Sequence, residues 1–229
     1  MNLSACLAVI PRRAFVLFGV CSALFFLLAA DVRYHGVISR MDRPISQMLH
    51  ERGAAKMLFL RCATELGDGG VVERFAWALA GLLILIRRWH YLPMLFLAVL
   101  LGERLNVRMQ VFFGRSRPHF EDVPAMTHPG FPSGHVAGAV LVYGFLIVLA
   151  VNELRNQSLK IFSVSFAILC ILLVGVTRIG LLAHYPTDVL GSFCWCTAWL
   201  MGCYYGNIVA FRWSKANAEP WGSAQGVGH

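Results

Sequence analysis

Charge is scarce in this sequence. Only 14% of its 229 residues are Asp, Glu, Lys or Arg, and 58% are hydrophobic, where soluble domains carry about 25% and about 45–50%. With a mean hydropathy of +0.63, an ordinary soluble domain is excluded and a multi-spanning membrane protein is expected. Carboxylates are the scarcer sign: 12 acidic residues stand against 20 basic ones, for a formal net charge of +8. On a soluble chain that excess would suggest nucleic acid. Here the basic residues sit mostly in short loops between apolar runs, so no nucleic-acid partner is expected. The seven cysteines form no framework, since Cys21, Cys170, Cys194, Cys196 and Cys203 fall inside apolar runs and Cys6 and Cys62 on opposite sides of the first. No disulfide, metal site or redox role is expected of them. The string ending at Cys6 resembles a lipoprotein cleavage box but lacks the charged and apolar region that should precede one, so the first apolar run reads as an uncleaved signal anchor. Internal repeats and low-complexity tracts are lacking as well, which leaves one domain.

What the sequence has is apolar runs of membrane length. Uncharged stretches at 14–30, 136–152, 161–177 and 189–211 approach or exceed the roughly 17–25 residues that cross a bilayer as a helix. Two more, 71–86 and 91–113, read as spans although Glu73, Arg74, Glu103, Arg104 and Arg108 interrupt or border them. The expected fold is all-α, a polytopic membrane bundle of about six transmembrane helices over residues 1–213. The 31–70 loop mixes Ile45, Met48, Leu49, Met57, Leu58 and Leu60 with charges, the pattern of short helices lying in the interface, or more simply of a lid or packing element. The tail, 214–229, holds Pro220, Gly222, Ser223, Gly226 and Gly228 and is expected to be disordered. If the spans alternate, Arg12/Arg13, Arg87/Arg88, Arg155/Lys160 and Arg212/Lys215 share one side, which marks it and both termini as cytoplasmic. The 31–70 loop carries comparable basic charge on the other side, so the short-loop pairs decide.

The same alternation brings three polar clusters to the non-cytoplasmic end: 115–118 after the third span, 132–135 before the fourth, and 178–188 between the last two. Arg115, Arg117, Ser133, His135, Arg178, His184 and Asp188 then come within reach of one another. Ser133 suits an N-cap, and the free N–H groups of the turn behind it, beside a glycine, form a ready anion site. Gly134 and Gly138 could instead serve close helix packing. His184 and Asp188 are four apart with Pro186 where a helix can start, so the carboxylate can face the imidazole across one turn. Such a pair fixes the tautomer and leaves the other ring nitrogen as nucleophile or base. Arg117 and Arg178 offer planar forks for phosphate oxygens. Singly, each arginine would more often be an interfacial snorkelling residue; together they point to a phosphate site.

These residues resemble the type 2 phosphatidic acid phosphatases, or lipid phosphate phosphatases, which are related to the vanadium haloperoxidases. That signature reads Lys-x6-Arg-Pro, Pro-Ser-Gly-His and Ser-Arg-x5-His-x3-Asp. Here Pro132, Ser133, Gly134 and His135 form the second part intact; Thr177, Arg178, His184 and Asp188 form the third with Thr for Ser; Arg117 and Pro118 close the first, with Gln110 in place of the lysine. The resemblance implies a membrane lipid phosphatase without cofactor or metal. It implies His184 as nucleophile, Asp188 orienting it, and His135 as acid and then base. Arg117, Arg178, Ser133, Gly134 and Gln110 would hold the phosphate. The implied partners are the bilayer and a lipid phosphate: phosphatidic acid, phosphatidylglycerophosphate, undecaprenyl pyrophosphate or a lipid A phosphate. A bacterial inner membrane with an extracytoplasmic site is the expected location. Transfer of the phosphoryl group to a second lipid would use the same residues, and a transporter is a rival from another class. In a regular helix through residue 117, Gln110 and Arg117 share a face while Arg104, Arg108 and Arg115 point elsewhere. Arg115 is then expected to meet the headgroup in compensation for the missing lysine.

Overall fold

The computed structural model describes residues 12–49, 53–119 and 128–218, and every regular element among them is helical. In chain order these are α1 (Arg12–Arg33), α2 (Val37–Arg40), α3 (Asp42–Leu49), α4 (Ala54–Thr64), α5 (Gly69–Leu85), α6 (92–113), α7 (Gly134–Glu153), α8 (Gln157–Gly180) and α9 (Pro186–Ala218). Local chemistry sets several ends. Asp68 caps α5 by accepting from the Gly70 and Val71 N–H groups, and Asn156 caps α8 through Leu159 N. Pro93 sits in the first turn of α6. That helix loosens to a π turn over Phe96–Leu101 and ends at Gly114, whose φ of 57° is the left-handed conformation open to glycine.

The chain is an all-α membrane bundle. Six of these helices are long, at the positions of the six expected spans. Three of them, Phe15–Arg33, Gly134–Glu153 and Gln157–Gly180, are long and apolar enough to cross a membrane by themselves. The others depart for identifiable reasons: α5 has only 17 residues, α6 carries Glu103, Arg104 and Arg108, and α9 is rich in Trp and Tyr, which dilute its hydropathy. The 31–70 loop forms α2 to α4, as its amphipathic pattern predicts. Residues 214–218 of the expected disordered tail continue α9; residues 219–229, Cys6 and the string before it lie outside the described residues.

Helix α7 is the axis of the bundle. Of its span 67% is buried, against 22% for α1 and for α8, so the residues at its N-terminus are delivered to the centre of one end. The neighbours of that end come close. A Cβ on Gly67 would lie 2.5 Å from the His135 carbonyl oxygen, and one on Gly138 would lie 2.8 Å from Glu103 Oε1. Gly138 thus serves close packing, the second of the two roles open to it.

Candidate active site

The break at Gly114 decides how the first cluster reaches the others. Because α6 stops at Phe113, a regular helix through Arg117 is not formed, and 114–119 run on as irregular chain. Gly130 N donates to Arg115 O at 2.7 Å, tying that chain to the segment leading into α7. Arg117 Nε donates to His128 O at 2.9 Å and its Nη1 to Ala183 O at 3.4 Å, which draws the first cluster against the third. Gln110 stays on the last turn of α6, where its Nε2 donates to Pro132 O at 2.7 Å. It stands beside Gly134: a Cβ on that glycine would meet Gln110 Nε2 at 3.6 Å and nothing nearer. The start of α7 is therefore open.

Ser133 occupies the N-cap position of α7 but makes no side-chain cap bond. Its hydroxyl is buried without a hydrogen-bond partner. Its backbone is held instead: Ser133 N donates to Asp188 O at 3.3 Å, and Ser192 Oγ lies 3.1 Å from Ser133 O and 2.9 Å from Asp188 O. A free hydroxyl at the N-terminus of a helix adds a donor to the main-chain donors there. His135, one residue into the helix, feels the charges of Arg178, His184 and Arg117.

Helix α9 begins at Pro186, as the one-turn spacing requires, and His184 Nδ1 lies 3.5 Å from Asp188 Oδ2. Both side chains are fully buried. The other demands on Asp188 are met: Oδ2 accepts from Tyr185 N at 2.9 Å and Oδ1 from Arg115 Nη1 at 2.5 Å. Neither ring nitrogen of His184 has a hydrogen-bond partner, the 3.5 Å approach being too long for one. Burial pushes the imidazole down to about 4; Asp188 opposes, while Arg117 and Arg178 reinforce the shift. The ring is therefore neutral near pH 7, the state in which a nitrogen lone pair can attack. Arg178, at the end of α8, is 7% exposed. Its Nη1 donates to Thr64 Oγ1 at 2.9 Å, while its Nε has no partner. Burial also lowers the Arg117 guanidinium from its ordinary value, against Asp188.

Arg115 is placed otherwise than expected. Its guanidinium spans Asp42 Oδ2 and Asp188 Oδ1, both at 2.5 Å, reaches Thr187 Oγ1 at 2.6 Å and lies 4.8 Å from the centre of the Tyr185 ring. Burial works against its charge, and Asp188 and Asp42 outweigh it and raise its pKa. Both terminal nitrogens are engaged by carboxylates, so the headgroup contact expected of Arg115 is not carried further. Sequence reasoning also missed Asp42, Thr64, Thr187 and Ser192, all buried at this end. Only Thr187, inside the His-Tyr-Pro-Thr-Asp stretch, carried a signal; the others are single polar residues at no distinctive spacing.

The all-helical membrane bundle thus gathers imidazoles, guanidiniums and unfilled donors at one end. The sequence profile of the PAP2 superfamily matches residues 87–211, and the chain belongs to that superfamily. It is 31% identical over 176 residues to phosphatidylglycerophosphatase B of Bacillus subtilis (strain 168), covering 74% of this chain and 85% of that protein. The crystal structure of the transmembrane PAP2-type phosphatidylglycerolphosphate phosphatase from Bacillus subtilis superposes with a TM-score of 0.73 at 24% identity. The match covers 86% of this chain and 96% of that one. Aquifex aeolicus LpxE matches at a TM-score of 0.50 and 25% identity, over 75% of this chain and 93% of its own.

Proposed function

We propose that this chain hydrolyses the phosphate or pyrophosphate of a membrane lipid through a phosphohistidine on His184. The observation that carries the reading is the buried His184 ring, unpartnered at both nitrogens, with Asp188 behind Nδ1 and Arg117, Arg178, His135 and the start of α7 around it. His184 Nε2 attacks phosphorus in line, and the bond from phosphorus to the lipid oxygen breaks as His135, which takes up a proton when the phosphate's negative charge lies beside it, gives that proton to the leaving oxygen. His135 then takes a proton from water, whose oxygen displaces the imidazole and releases phosphate. Arg117, Arg178, the Ser133 hydroxyl and the Gly134 N–H hold the equatorial oxygens, with Gln110 beside them. Phosphoryl transfer asks mainly for positioning and charge stabilisation, and these groups supply both without a metal.

Charge supports a bilayer side as well: the site lies at the end opposite the Arg87/Arg88 and Arg155/Lys160 loops, which favours the extracytoplasmic face of a bacterial inner membrane. The name of the Bacillus subtilis relative puts phosphatidylglycerophosphate first among the substrates to try. Phosphate release by the purified protein in mixed micelles, with that lipid, phosphatidic acid, undecaprenyl pyrophosphate and a lipid A phosphate, is the direct test. Turnover should persist in EDTA, vanish in His184→Ala and fall about 10²–10⁴-fold in His135→Ala. Turnover retained in His184→Ala, or strict need for an added divalent metal, overturns the mechanism.

A further inference from the structure

Asp42 is the first residue of α3, in the loop whose amphipathic helices suit a membrane surface, yet it is 2% exposed. A buried carboxylate costs stability unless it is paired, and even paired it seldom adds much. Its partners are specific. Asp42 Oδ1 accepts from Thr187 N at 3.0 Å, and Oδ2 accepts from Thr187 Oγ1 and Arg115 Nη2, both at 2.5 Å. The same guanidinium then donates through Nη1 to Asp188 Oδ1, whose other oxygen faces His184. A chain of hydrogen bonds runs from Asp42 through Arg115 to Asp188, whose Oδ2 stands 3.5 Å from His184 Nδ1, with Thr187 as a second strut.

Charge gives this chain its purpose. With Arg115 alone against it, the charge of Asp188 would be cancelled by the guanidinium, leaving little to stabilise the cation that forms on His184 as Nε2 bonds to phosphorus. With Asp42 present, one guanidinium is shared by two carboxylates, and less of the Asp188 charge beside Nδ1 is cancelled. We propose that Asp42 is a positioning residue for phosphoryl transfer, fixing through the shared Arg115 guanidinium both the rotamer and the effective charge of Asp188, and so the ring of His184. The inference rests on the reading of His184 as nucleophile.

A double-mutant cycle on the full-length protein in mixed micelles tests it, with kcat and KM measured for Asp42→Asn, Asp188→Asn and the pair. Asn nearly matches Asp in shape and can still accept from Thr187 N. Asp42→Asn should lower kcat about tenfold or more with KM changed less than about twofold, the pattern of a lost transition-state interaction. In the Asp188→Asn background the same change should cost less than about twofold, because its route to His184 is already cut. A packing role alone would give factors that multiply. Should Asp42→Asn fail to fold, or Asp188→Asn be too slow to measure, Arg115→Lys decides: a lysine cannot bridge both carboxylates, so kcat should fall at constant KM. Unchanged kcat, a loss confined to KM, or multiplying factors overturn the role of Asp42. Turnover retained in His184→Ala instead overturns the nucleophile on which it rests.

Discussion

On the proposed mechanism His184 meets two opposed demands, a neutral ring that can attack and a cation that must be tolerated once it has. Burial answers the first by holding its pKa at about 4, down from 6.5. That shift links to stability with a definite sign. Between pH 6.5 and about 4 the unfolded chain binds a proton that the native ring refuses, so the contribution is complete above pH 6.5 and is lost as pH falls through about 4. The thermal midpoint in detergent should therefore drop over that interval, and His184→Asn should make the drop shallower; equal slopes in the two proteins would count against a neutral buried ring. Gln110 poses a different question at the same scale. Its amide already spends one donor on Pro132 O beside the open start of α7, and a charged donor there would be roughly twice as strong. Gln110→Lys is expected to keep or raise phosphate release from phosphatidic acid, and loss of that activity would show the amide to be required. His135, His184, Asp188, Arg117 and Arg178 were legible because their types and spacing mean something together. Asp42 was not, since its partners Arg115 and Thr187 lie 73 and 145 residues away, and no local pattern announces a contact of that range.

Between elements, the approach of Gly67 to the first turn of α7 constrains the site closely. A Cβ there would press on a main-chain oxygen, His135 O, at 2.5 Å, and main chain inside a packed helix cannot swing aside as a side-chain end can. Gly67→Ala should cost about 1–3 kcal/mol, seen as a lowered thermal midpoint, with kcat falling as His135 is displaced. An unchanged midpoint would mean that the contact relaxes freely. The helices themselves were largely readable. Apolar runs located α1, α7, α8 and α9, and the mixed pattern of 31–70 located α3 and α4. The run 91–113 likewise located α6 and its end at Phe113. A single left-handed glycine stops it, and that stop turns Arg115 from a surface cation into the link between two carboxylates.

For the molecule as a whole, orientation is measurable. In a background without native cysteines, Tyr34→Cys, at the highly exposed turn after α1, should react with an impermeant maleimide on intact cells. Arg155→Cys, between α7 and α8, should react only after permeabilisation. The reverse pattern would place the site on the cytoplasmic side. The complete burial of His184 also has a consequence in time. If His184 is the nucleophile proposed above, a phosphorus centre reaches Nε2 only after the surrounding end of the bundle parts, and each turnover begins with an opening step. An anion that takes up the five-coordinate geometry of in-line transfer on that nitrogen must wait for the same event. Orthovanadate should accordingly act as a slow-onset inhibitor, with progress curves that bend over minutes and potency that grows on preincubation.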